Sequence, residues 1–211
     1  TGTGKTAAFM LPALNRLATP SKIRSRGPRV LVLTPTRELA LQVSDATSKF
    51  GKYLPHTKVV SILGGMSYPL QNKLLSQVVD ILVATPGRLI DHIQRGRIDF
   101  SRLEMLVLDE ADRMLDMGFI DDVEAIASRT PDTRQTLLFS ATLDSSIDKI
   151  ALRLLKSPKR IQVAAQHAKL DNIEQKLHYV DDLSHKNRLL DHLLRDESLK
   201  QAIVFTATKR D

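Results

Sequence analysis

The stretch Met105-Leu106-Val107-Leu108-Asp109-Glu110-Ala111-Asp112 decides the fold. Four apolar residues run without polar interruption and end in carboxylates. A run without alternation is the pattern of a strand buried on both faces of a parallel sheet. Carboxylates at its end would lie where α/β folds bind ligands, outside the carboxyl ends of the strands. Strand candidates also lie at 30–34, 58–63, 80–84, 136–140 and 160–163, and most are near-continuous apolar runs. Between them lie helical patterns at 6–17, 38–54, 68–77, 88–94, 122–129 and 147–155. The last carries the stripe Ile147, Ile150, Ala151, Leu154, Leu155. This alternation predicts an α/β fold with a doubly wound parallel sheet. Right-handed crossovers would bring the loops that follow strands to one sheet edge.

Residues 1–163 read as one α/β domain and 164–172 as a linker. An alternating strand at 173–179, a helix at 186–195 and an apolar strand at 202–205 read as the N-terminal part of a second α/β domain, 173–211. The chain begins at Thr1 without a methionine and stops at Asp211 just after an apolar run, so both ends are expected to be internal to a longer reading frame. There is no internal repeat and no low-complexity tract.

The 211 residues include 42% hydrophobic and 26% charged side chains, a globular composition that excludes intrinsic disorder. With no cysteine, a disulfide framework, a thiolate zinc site and a cysteine nucleophile are excluded. A cysteine-free chain fits a reducing compartment, and a cytoplasmic location is expected. No apolar run approaches the roughly 20 residues that cross a bilayer, and no signal peptide is visible, so no membrane partner is expected. The formal charge is +7, divided as +9 over residues 1–100 and −2 over residues 101–211. Charge alone leaves two readings open, a solvated surface or a polyanion-binding face built from the first half.

Thr1-Gly2-Thr3-Gly4-Lys5-Thr6 matches the end of a G-x-x-x-x-G-K-[ST] phosphate loop. Glycines let backbone N–H groups fold round phosphate oxygens, and the helix start that follows adds its positive dipole end. Lys5 would place a charge on the β- and γ-phosphates, and the Thr6 hydroxyl would reach Mg²⁺. Asp109, at a strand end, is the acid such a site needs to hold Mg²⁺, partly through water. Glu110 is the candidate to orient or deprotonate an attacking water. A phosphate chain of the nucleoside-triphosphate kind and Mg²⁺ are therefore the expected ligands, and these residues alone do not name the base.

Two further loops follow strands. Pro35-Thr36-Arg37 and Thr85-Pro86-Gly87-Arg88 each offer hydroxyl, backbone N–H and guanidinium donors, suited to phosphates rather than bases. Only 4% of residues are aromatic and none is tryptophan, so a base-stacking platform is not expected. Sequence-independent gripping of a backbone fits better, with salt-sensitive affinity. The six histidines show no ligand spacing and read as surface or core residues. The Met/Leu cluster at 114–119 reads as packing. Pro12, inside a helical pattern, is expected to kink the first helix or shift its start.

Asp109-Glu110-Ala111-Asp112 is the literal D-E-A-D signature, and with the phosphate loop it resembles the DEAD-box family of ATP-dependent RNA helicases. Further motifs match in the family's order. Pro35-Thr36-Arg37-Glu38-Leu39-Ala40 is similar to motif Ia, Gly64-Gly65 to the paired-glycine motif, and Thr85-Pro86-Gly87-Arg88 to motif Ib. Ser140-Ala141-Thr142 is similar to motif III. Ala202-Ile203-Val204-Phe205 with Thr208-Lys209 resembles motif IV. The stretch 109–119 is most similar to the bacterial RhlE-type branch.

The resemblance implies two RecA-like P-loop domains, with ATP between them and RNA across both. This chain would hold nearly all of the first and the start of the second. It implies that Lys5, Asp109 and Glu110 are catalytic. Thr1, Gly2, Thr3, Gly4, Lys5 and Thr6 would bind ATP, and Thr6 and Asp109 would hold Mg²⁺. Ser140 and Thr142 would couple nucleotide state to unwinding. Thr36, Arg37, Gly65, Thr85, Gly87 and Arg88 would contact the RNA backbone.

The family's upstream adenine-recognising motif and its later arginine finger are not in the sequence, so the 211 residues alone are expected to be nearly inactive in unwinding. Three functional readings stay open. One is an RNA-dependent ATPase that unwinds short duplexes or remodels ribonucleoprotein. The second is an ATP-gated RNA clamp. The third is a DNA translocase, against which the D-E-A-D and Pro-Thr-Arg-Glu-Leu-Ala motifs speak.

Overall fold

The computed structural model describes residues 4–54, 56–162, 174, 176–196 and 199–206. The chain divides into two compact units between Arg160 and Ile161. The first unit runs α1 (Lys5–Leu17), β1 (Val30–Leu33), α2 (Arg37–Phe50), β2 (Val59–Ile62), α3 (Tyr68–Leu75), β3 (Ile81–Ala84), α4 (Pro86–Gln94), β4 (Met105–Leu108), α5 (Ala111–Asp116), α6 (Ile120–Ala127), β5 (Gln135–Leu138) and α7 (Ser145–Leu154). The five strands form one sheet in the order β2-β3-β1-β4-β5. Every pairing is parallel, and Ile62, Ala84, Leu33, Leu108 and Leu138 stand level at the carboxyl end.

The central strands β1, β3 and β4 are buried at all four positions, because helices cover both faces. Val30, Val32, Ile81, Val83, Met105 and Val107 pack on one side against Phe9, Met10, Ala13 and Leu14 of α1 and Ala40 and Val43 of α2. Their alternating neighbours Leu31, Leu33, Leu82, Ala84, Leu106 and Leu108 pack on the other side. Their partners there include Leu89, Met114, Val123, Ile126, Ile147 and Ile150. Burying each of the Val, Leu, Ile, Phe and Met side chains among these contributes about 1.5–3 kcal/mol. The edge strand β2 alternates in burial, as a strand covered less completely must.

Helix starts follow local chemistry. Thr36 caps α2, its Oγ1 accepting from the Leu39 N–H at 3.3 Å. Asp144 caps α7 through the Ser146 and Ile147 N–H groups at 2.9 and 3.0 Å. Helix α1 runs through Pro12 and starts at Lys5, so the expected shift of its start does not occur. The proline leaves the Ala8 carbonyl without its helical donor, and Ala8 is exposed, so water can take that place.

The opposite edge of the sheet is a structural clamp. Arg29, only 6% exposed in its side chain, pairs with Glu104 at 2.7 Å and donates to the Thr19 carbonyl at 2.7 Å. Arg102 donates to the Gly27 and Val79 carbonyls and pairs with Asp80 at 3.2 Å. A cleft of about 690 Å³ opens here, but both buried arginines that line it are already engaged by protein oxygens.

Three predicted strands differ from the structure. Residues 160–162 form no strand, and Ile161 is 77% exposed; residue 163 lies outside the described residues. Of 173–179, residues 173 and 175 lie outside the described residues and the others form no strand. Residues 202–205 also form none, with Phe205 90% exposed. A strand exists only against a partner, and among the described residues of the second unit no ladder partner is present. That unit presents α8 (Leu183–Leu194), capped by Asp182 on the His185 N–H at 2.6 Å, with none of its residues buried. The expected linker at 164–172 and the Thr208-Lys209 pair lie outside the described residues. Helix α5 was not predicted; its buried Ala111 and Met114 anchor it on the sheet.

Candidate functional site

Five loops follow the five strands at one edge, and the candidate residues divide between its two halves. On the β4–β5 side, Gly4 adopts φ +74° immediately before α1. A side chain there would be strained whatever the space around it. Among the described residues no side chain caps α1 and no acidic residue stands in its first turn. A helix start of this kind offers N–H groups and a positive dipole end to an anion. Lys5 and Thr6, both half-buried, begin this helix. Thr1, Gly2 and Thr3 lie outside the described residues.

Asp109 is 6% exposed at the end of β4. Burial is the main cause that raises its carboxyl above the ordinary range, and the neighbouring Glu110 adds to it. The Lys5 ammonium and the Glu110 N–H, 3.1 Å from Oδ1, offset this only in part. A buried oxygen donor whose charge is incompletely balanced suits a hard divalent cation such as Mg²⁺. Glu110 stands in the left-handed region at φ 54°, ψ 53°, unusual outside glycine. The conformation turns the chain from β4 into α5, and the Ala111 N–H then reaches the Phe139 carbonyl at 3.0 Å. One Glu110 oxygen accepts from Arg113 Nη1 at 2.9 Å.

Asp112 ties this turn to the loop after β5. Its Oδ2 accepts from the N–H groups of Ala141 and Thr142, each at 3.2 Å, and from Thr142 Oγ1 at 3.3 Å. Burial alone would raise this carboxyl; the N–H groups of Arg113, Thr142 and Ala141 outweigh it and hold the carboxyl below its usual value. Ser140 lies at the same junction, half-buried. The signature's last aspartate therefore acts as a fastener between two loops, a role that sequence reading did not assign.

On the β2–β3–β1 side, three loops converge. Arg37, the first residue of α2, is exposed, and its guanidinium lies against Gly65. A Cβ on Gly65 would stand 2.4 Å from Arg37 Nη1 and would displace that guanidinium, and φ +77° makes the backbone itself favour glycine. Arg88, half-buried in α4, donates from Nη1 to the Met66 carbonyl at 2.8 Å. Its guanidinium also stacks 4.3 Å from the Tyr68 ring centre. The structure thus brings Arg37, Gly65 and Arg88 together. Thr36 and Thr85 sit at the same edge as the residues before α2 and α4, and Gly87 is exposed in the first turn of α4.

Behind these loops lies a buried polar layer that sequence reading missed. Gln71 and His92 are both fully buried, with Gln71 Oε1 3.1 Å from His92 Nε2. Helical phase signals His92: with Pro86 and Leu89 it falls on the buried face of α4. Burial, and then the Arg88 charge, lowers its pKa.

The comparisons agree with this geometry. A family model described as DEAD/DEAH box helicase matches residues 1–150. The chain is 45% identical over 210 residues to an ATP-dependent RNA helicase DeaD of Mycobacterium tuberculosis, covering 100% of this chain and 36% of that protein. It is 46% identical over 206 residues to the ATP-dependent RNA helicase SrmB of Escherichia coli, covering 97% and 46%. The chain thus spans about a third of the DeaD relatives' length. Among solved structures, a hypothetical ATP-dependent RNA helicase from Sulfolobus tokodaii aligns with a TM-score of 0.69 at 40% identity, covering 90% of this chain and 54% of that one. The yeast DEAD-box splicing factor Prp28 aligns with a TM-score of 0.71 at 36% identity, covering 93% and 47%. The parallel sheet with its flanking helices is therefore a RecA-like fold. With the family model covering most of the sequence and the signature residues at one sheet edge, the chain belongs to the DEAD/DEAH box helicase family.

Proposed function

We propose that this chain supplies the nucleotide-binding domain of an ATP-dependent RNA helicase. In this reading RNA stimulates ATP hydrolysis, and hydrolysis is coupled to local duplex unwinding or ribonucleoprotein remodelling. Residues 1–163 would be that RecA-like domain and 173–211 the start of a second. The observation that carries the proposal is the division of one sheet edge: phosphate chemistry at α1 and β4, backbone-gripping groups at β1, β2 and β3. Among the described residues no helix is long and apolar enough to cross a membrane. A cytoplasmic location is part of this proposal.

Gly4 and the first N–H groups of α1, with residues 1–3, would cradle the ATP phosphates, and Lys5 would neutralise them. Thr6 and Asp109 would hold Mg²⁺, in part through water; when bound, the ion would neutralise phosphate charge and orient the γ-phosphoryl group. Glu110, steadied through one oxygen by Arg113, would offer the other to the attacking water and take its proton. Asp112 would carry the state of that site to Ser140 and Thr142, because its carboxylate bridges the two loops. Arg37, Gly65 and Arg88, with Thr36, Thr85 and Gly87, would hold consecutive RNA phosphates without reading bases. ATP turnover measured with RNA and with DNA of equal length tests the proposal: stimulation by RNA and not by DNA is expected, and stimulation by DNA would favour the DNA-translocase reading.

A further inference from the structure

We propose that Gln71, held in place by His92, is a positioning residue for the RNA-facing loop 63–66 and, through it, for Arg88. The proposal rests on the reading of Gly65 and Arg88 as RNA contacts. The Gln71 amide nitrogen donates both of its hydrogens to that loop: to the Leu63 carbonyl at 3.1 Å and to the Met66 carbonyl at 3.0 Å. This fixes the amide's orientation and leaves Oε1 as an acceptor toward His92 Nε2 at 3.1 Å. His92 must then carry its proton on Nε2. In the neutral ring Nδ1 is then a buried lone pair, with no hydrogen-bond partner among the described residues. Of the two neutral tautomers, only the one protonated on Nε2 serves Gln71 Oε1.

The pair bears on the edge through one atom. The Met66 carbonyl accepts from Gln71 Nε2 on its buried side and from Arg88 Nη1 at 2.8 Å. Gly65, one residue earlier, is the seat of the Arg37 guanidinium. Loop, Arg88 and Arg37 therefore share a foundation, and Gln71 is the only buried residue of α3. A polar side chain is needed there for hydrogen bonding, since packing alone would be served by leucine or methionine.

The test measures binding of a fluorescein-labelled oligo(U) RNA and, separately, of mant-ATP, at one fixed salt concentration. Gln71→Met keeps the volume and removes both donors. Its RNA Kd is expected to rise roughly 5- to 100-fold, the consequence of two buried carbonyls losing a donor. Its mant-ATP Kd stays at the wild-type value, and the Gly65 amide signal shifts in a ¹⁵N spectrum. His92→Gln, which keeps an N–H for Gln71 Oε1, retains RNA affinity, whereas His92→Leu weakens it. These two decide the question if Gln71→Met does not fold. Wild-type RNA affinity in Gln71→Met, or in His92→Leu, overturns the proposal. Equal loss of RNA and mant-ATP binding also overturns it, as it marks a merely structural role. If the wild-type chain binds no RNA while the Gly65 signal still shifts in Gln71→Met, the RNA reading of the edge has failed, and the inference falls with it.

Discussion

Gly65→Ala separates the two demands placed on one residue. The first is backbone: φ +77° lies in the left-handed region, where a Cβ costs roughly 1–2 kcal/mol. The second is space: the new methyl would stand 2.4 Å from Arg37 Nη1 and 3.2 Å from Arg37 Cζ. The guanidinium ends a flexible, exposed side chain, so it yields and the backbone does not. The fold should therefore lose only the backbone cost, about 1–2 kcal/mol. RNA binding should lose the displaced arginine's charge-assisted contact, about 1.5–3 kcal/mol, or roughly 10- to 150-fold in Kd. Gly64→Ala is the control: no atom lies within 4 Å of its Cβ and its φ is not left-handed. It should change stability by less than about 0.5 kcal/mol. Urea unfolding followed by circular dichroism gives the first quantity. Anisotropy of labelled single-stranded RNA at fixed salt gives the second. Equal effects of the two substitutions, or wild-type RNA affinity in Gly65→Ala, would refute the reasoning.

Two further outcomes follow from burial. Glu104→Ala leaves the Arg29 guanidinium buried with only the Thr19 and Arg16 carbonyls as partners. Glu104 itself is a third exposed, so the loss sits near the lower end for a broken buried pair, about 2–3 kcal/mol by urea unfolding. Asp109→Asn should raise the urea midpoint at pH 7 in the absence of Mg²⁺. The folded-state pKa of Asp109 is raised, so the fold binds more protons than the unfolded chain just above the ordinary carboxylate range, and stability falls as pH rises there. The asparagine variant escapes that fall, so the two midpoints should converge as the pH is lowered toward about 4; parallel curves would contradict the assignment.

The central strands were legible because burial on both faces leaves no polar position, as in Val30–Leu33 and Met105–Leu108. Strands were also expected at 160–163, at 173–179 from its alternation and at 202–205 from its apolar run. Pairing is a property of neighbours, and among the described residues theirs are not there. Helix α5 went unread because Asp109, Glu110 and Asp112 around its start resemble a solvated acidic turn, and two buried side chains are too few for a period. At the site, Lys5, Asp109 and Arg88 could be picked out by residue type and spacing. Gln71, His92 and the Asp112 bridge could not: a lone amide or imidazole in a helix is compatible with a wet surface. Only the helical phase of Leu89 and His92 hinted otherwise.

The most direct measurement is steady-state ATP hydrolysis, with and without RNA, by a protein of the relatives' full length that carries this chain, beside its Glu110→Gln variant. We expect RNA to stimulate turnover in the parent and the substitution to abolish it while mant-ATP and RNA still bind. Binding of both ligands with turnover no higher than in Glu110→Gln would contradict the helicase reading and leave an ATP-gated clamp in its place.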